Sequence, residues 1–100
     1  MELSEVKEFL ERLNPRDIKF DLHFYKRIRE RPIDEGIVRS FLSQLNKLEK
    51  IEKGKNERFK LWFKMSRKYS LVLIVEIVSK SLKVISTWNS DRKWQSKLKQ

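Results

Sequence analysis

The stretch Arg58-Phe59-Lys60-Leu61-Trp62-Phe63-Lys64-Met65 decides the fold. Phe59, Leu61, Phe63 and Met65 alternate with Arg58, Lys60, Trp62 and Lys64. A period of two belongs to a β-strand with one face in a core and the other toward water. Downstream, Ser66 to Lys68 predicts a turn, and Tyr69 to Val78 is apolar on both faces, as a central strand is. Ser79-Lys80-Ser81 turns the chain again, and Leu82 to Trp88 predicts a third strand. Short links between consecutive strands favour an antiparallel meander. The tail from Asp91 to Gln100 reads as a short basic helix around Trp94 and Leu98.

Before Gly54 the apolar spacing is helical instead. Residues 3–14 carry Val6, Leu10 and Leu13 at helical intervals, with Ser4 as N-cap and Asn14-Pro15 as the stop. Ile18-Lys19-Phe20 is a short strand candidate. Asp21 caps a second helix to about Glu30, which ends because Arg31 precedes Pro32. Asp34 caps a third helix to about Leu48, with the stripe Ile37, Phe41, Leu45 and Leu48 and with Val38 and Leu42 beside it. One face of the sheet must take these helices. The predicted class is α+β: N-terminal helices on one face of a small antiparallel sheet, with a short C-terminal helix.

One hundred residues are the length of a single domain, residues 1–100. Zero cysteines exclude disulfides, thiolate metal sites and a cysteine nucleophile, and one histidine excludes a multi-histidine zinc site. The longest apolar run, Leu71 to Val75, is far short of a membrane span. Met1 leads into Glu2, Glu5, Glu8 and Glu11 rather than a secretory signal, so a cytoplasmic location is expected. Abundant Lys and Glu with no alanine or cysteine fits a thermophile, although an AT-rich genome gives the same bias.

The formal net charge is +10, and it is unevenly placed. Eleven basic and eleven acidic side chains cancel over residues 1–52. Residues 53–100 hold thirteen basic ones against Glu57, Glu76 and Asp91. A charge serving only solubility would be spread evenly, so the asymmetry points to a polyanionic partner.

Arg58, Lys60, Trp62 and Lys64 share one strand face, where cations neutralise phosphates and an indole stacks a base. Lysines also guard solvated edge strands against aggregation. Arg67 and Lys68 in the following turn, and Lys80, Lys83, Arg92, Lys93, Lys97 and Lys99, add to the positive half. His23-x3-Arg27-x3-Arg31 forms a second constellation, because spacings of four keep three residues on one helical stripe. Two cations and a titratable imidazole there could clamp a phosphate and move a proton. Ordinary pairing of Arg27 and Arg31 with Glu30, Asp34 or Glu35 is the simpler alternative. Tyr69, next to Arg67 and Lys68, could contact a base or a 2′-hydroxyl, or pack its ring and expose its hydroxyl. Thr87, Trp88 and Trp94 read as packing residues, and Glu76 in an apolar strand needs a partner if buried.

The run His23-Phe-Tyr-Lys-Arg27-Ile-Arg-Glu-Arg31-Pro-Ile33 resembles a small uncharacterised family that opens with H-x3-R-x3-R-x-I. That family continues into a meander ending in a Thr-x-aromatic stretch, here Val84 to Asp91 with Trp94 beyond. The likeness covers residues 18–94 and leaves 1–15 as a helical extension. The order of elements is similar to the RelE/ParE toxin superfamily. That resemblance implies a RelE-like, metal-independent endoribonuclease acting on RNA, often on the ribosome, neutralised by a small acidic antitoxin. It implies His23 or Tyr69 for proton transfer and Arg27, Arg31, Lys60 and Lys64 for the phosphate charge, with no cofactor. The chain departs from the pattern where Asp91-Arg92-Lys93-Trp94 replaces the usual C-terminal Arg-x-x-x-Tyr. A non-catalytic nucleic-acid-binding module and a domain docking an acidic protein are the alternatives.

Overall fold

The computed structural model describes residues 1–29 and 33–92. Arg31, the predicted end of the second helix at Glu30 and residues 93–100 of the predicted C-terminal helix, Trp94 included, lie outside them, while Asp91, the predicted start of that helix, belongs to the last strand. The elements run α1 (Leu3–Arg12), β1 (Ile18–Phe20), α2 (Leu22–Ile28), α3 (Glu35–Leu42), β2 (Leu48–Lys53), β3 (Arg58–Lys64), β4 (Tyr69–Val78) and β5 (Ser81–Asp91). The fold is α+β, with a five-stranded sheet in the order β1-β5-β4-β3-β2. β2 to β5 form an antiparallel meander, and β1 adds a parallel edge against β5, so the sheet is mixed.

Each helix starts where its cap chemistry dictates. The Asp21 carboxylate accepts from the His23 amide at 3.1 Å, and the Asp34 carboxylate accepts from the Ile37 amide at 2.9 Å. Such caps contribute about 1 kcal/mol each by satisfying an amide the helix leaves open. At α1 the cap is Glu2 rather than Ser4: Glu2 and Glu5 form a reciprocal capping box. A glutamate there also meets the positive end of the helix dipole.

The third helix is shorter than the apolar spacing predicts. It stops at Leu42, and after a 3-10 turn at Leu45–Lys47 the chain enters β2. Leu48 and Ile51 are three apart, a helical interval, yet both are partly buried against the core in a strand. A β-bulge resolves the conflict, since the register slips between Leu48 and Lys50. The extra residue lets Leu48 pair with Phe63 and Ile51 with Leu61 on the same face.

The core lies between the helices and that one face. Val6 and Leu10 of α1, Phe24 of α2 and Val38 and Leu42 of α3 pack with Phe59, Leu61, Phe63, Leu71, Leu73, Val75, Leu82 and Val84. Phe63 is fully buried and meets Phe41 edge-on, with ring centroids 5.9 Å apart. Asn56 and Ser79 take left-handed backbone in the turns before β3 and after β4. Asparagine tolerates that region better than most side chains.

Candidate nucleic-acid interface

Among the described residues, all eighteen buried apolar side chains except Val72 and Ile85 belong to the helix-side core. Val72 lies on the other face of the sheet, paired with Trp62 and Trp88, while Ile85 is the unpaired residue at the β5 register slip. Pairing register lays this outer face out in rows. One row runs Lys50, Trp62, Val72, Trp88 across β2 to β5. The next runs Glu52, Lys60, Ile74, Ser86. Beyond them Arg58, Glu76 and Lys83 form one margin, while Lys64, Ser70 and Ser90 form the other.

At the centre, Val72 is fully buried between Trp62 and Trp88, its cross-strand neighbours. The Lys60 ammonium reaches over from the adjacent row and sits 5.6 Å from the centroid of each indole. Each such contact contributes about 0.5–1 kcal/mol at an exposed site. Trp62 is oriented by its Nε1–H, which donates to the Glu52 carboxylate. Glu52 also pairs with Lys50 at 3.5 Å.

The acidic groups of the face are engaged. Glu76 accepts from Arg58 Nε at 3.0 Å, which supplies the partner its position in an apolar strand demands. Glu49, the bulge residue, takes both terminal nitrogens of Arg92, and Arg92 Nη1 also donates to Ser70 Oγ at 3.1 Å. The Glu49 carboxylate pushes the Arg92 guanidinium further up from its ordinary value, keeping it charged. Among the described residues, Lys60, Lys64, Arg67, Lys68 and Lys83 make no ion pair with a carboxylate. Ser66 Oγ accepts from the Lys68 and Tyr69 amides, folding the β3–β4 turn that presents Arg67 and Lys68.

The sequence-predicted site residues fall into separate places. Arg58, Lys60, Trp62 and Lys64 share the outer face, flanked at the turn by Arg67 and Lys68. Tyr69 is 44% exposed, but strand alternation puts it on the same side as Leu71, opposite to Lys64 and Ser70. His23 and Arg27 are exposed on α2, whose Phe24 is packed into the helix-side core. Arg27 Nε donates to His23 Nε2 at 3.3 Å, so the helical spacing does bring these two together. No hydrogen bond, ion pair or ring contact among the described residues joins them to Lys60, Lys64 or Tyr69. On the same helix, a hydrogen bond to Glu35 raises the Tyr25 phenol above its ordinary value. No group of three or more His, Asp or Glu among the described residues could hold a metal ion. No described helix is long and apolar enough to cross a membrane.

Sequence reasoning missed the second indole. Trp88 reads as packing because β5 carries its own irregularity: the register slips where Ile74 and Val75 of β4 pass Ser86 and Val84. Only the pairing of Val72 with Trp88 shows which face Trp88 occupies. No protein-family model, no curated protein and no solved structure matches the chain.

Proposed function

We propose that the protein binds nucleic acid, RNA foremost, through the outer face of its sheet. The observation that supports this most is the joint arrangement of two indoles around a buried valine, with five cations about them that make no ion pair among the described residues. Phosphates are the ligand such cations lack, and the half-buried rings of Trp62 and Trp88 keep a surface on which bases can stack. The intramolecular pairs leave Lys60, Lys64, Arg67, Lys68 and Lys83 as the phosphate contacts.

Each neutralised phosphate releases counterions, about 0.7 per contact on a single strand. Five contacts therefore predict a slope near −3.5 for log affinity against log salt, so that doubling the salt weakens binding about tenfold. Fluorescence anisotropy of a labelled oligonucleotide across a salt series measures it. A slope near zero would mean that these cations do not meet phosphates.

RNA cleavage belongs to the same proposal as its stronger form. The Arg27–His23 pair supports it, because it sets a cation beside an imidazole, with Arg27 Nε donating to His23 Nε2. A base on α2 and cations on the outer sheet face would have to be bridged by a strand wrapping the β1 edge. Product bands from end-labelled RNA in the presence of EDTA, lost in His23→Ala, are the expected result of that form. Binding without product leaves the binding module. A small acidic protein would compete for the same cations and appear as an inhibitor of RNA binding.

A further inference from the structure

We infer that Trp62, Trp88 and Lys60 form a clasp for unpaired bases, so that the outer face selects a single strand over a duplex. This rests on the nucleic-acid reading and specifies the form of its ligand. Lys60 is the key to it. Its ammonium lies 5.6 Å from both ring centroids and has no carboxylate within 4.0 Å among the described residues. The nearest acid of its own row, Glu52, is already taken by Lys50 and by the Trp62 indole. A lysine ammonium is a strongly hydrated point charge on a flexible stem, and ring faces replace its water poorly. Lys60 therefore occupies the indole faces in the free protein and is free to leave them for a phosphate.

The indoles are built to remain when it leaves. The Nε1–H bond to Glu52 fixes Trp62, and Val72, with no exposed surface, fills the floor between the two rings. A ring held in place loses little entropy when a base stacks on it. Trp62 and Trp88 stand on β3 and β5 with β4 between them. Neighbouring strands are about 4.8 Å apart, which separates the two platforms by roughly 10 Å. Bases in a duplex are stacked at about 3.4 Å with no gap for an indole, so a duplex can offer this face only its phosphates. An unstacked strand can offer bases to both rings while its phosphates reach Lys60, Lys64 and Lys83.

The test compares three oligonucleotides of about 12 nucleotides, within the reach of one small binding face: a single strand, its duplex, and a single strand of abasic phosphodiester units. Binding to the full chain is followed at about 0.15 M salt by anisotropy and by tryptophan emission. The base-bearing single strand should bind about 5- to 150-fold more tightly than the abasic one and quench the tryptophans. Trp62→Ala and Trp88→Ala should reduce it to the abasic level while circular dichroism stays that of the wild type. Trp62→Phe keeps a ring and should retain part of the preference, which guards against a variant that misfolds. Equal affinity for all three oligonucleotides without quenching would overturn the clasp and leave a phosphate-binding face. No binding to any of them would overturn the nucleic-acid reading as well.

Discussion

Phe63→Ala should lower the stability of the protein by about 3–5 kcal/mol, the usual cost of emptying a buried phenylalanine site. Phe63 is fully enclosed, and its neighbours come from both layers. Leu48 and Leu71 are its strand partners, and Phe41 of α3 meets its ring edge-on. The surrounding strands are hydrogen-bonded and cannot close the hole by collapsing. For a domain of this size each kcal/mol corresponds to about 4–8 °C, so the melting temperature should fall by at least ~12 °C. Thermal unfolding followed by circular dichroism measures this. A fall of only a few degrees would mean that α3 does not lock onto β3. The substitution faces away from Lys64 and Trp62, so any folded fraction should retain its affinity for RNA.

The second large effect is on binding, with no matching loss of stability. Lys64→Glu combined with Lys68→Glu removes two of the five free cations and places two anions in the path of a phosphate chain. Lys64 lies opposite Ser70, and neither lysine makes an ion pair with a described carboxylate, so the folded state loses little. Losing two phosphate contacts should make the salt slope shallower by about 1.4, and affinity near 0.1 M salt should drop by at least about tenfold. The drop should be uniform across sequences, because phosphate contacts carry no base information. Unchanged affinity would move the interface off this margin of the sheet.

Legibility from the chain followed the physics of each segment. β3 was plain because its alternation is unbroken from Arg58 to Lys64, and its outward residues are the ones the sequence picks out. β4 was plain for the opposite reason: a run apolar on both faces has to be central, and its Val72 is buried on the outer side. β2 was hidden, since a bulge turns a three-residue spacing into a same-face pair and so imitates a helix. Periodicity cannot distinguish those cases, because the strand forms through backbone pairing with β3 rather than through its own pattern.

The candidate site was half legible for a related reason. Residues on one strand declare their shared face through parity, as Arg58, Lys60, Trp62 and Lys64 do. Residues on different elements do so only through register. Trp88 joins Trp62 because both pair with Val72, while Tyr69 falls on the opposite side from Lys64. His23 and Arg27 share a stripe, as their spacing requires, but the layer that stripe occupies depends on Phe24 anchoring α2 in the helix-side core. Local spacing carries none of that long-range information.

The most direct measurement is a titration of the isotope-labelled protein with single-stranded RNA, followed through its backbone amides and tryptophan indole N–H groups. Shifts should concentrate on Lys60 to Lys64, Val72, Lys83 and Trp88, with the Trp62 indole among the largest. Shifts gathered on α1 and α3, with the outer sheet face unmoved, would contradict the account.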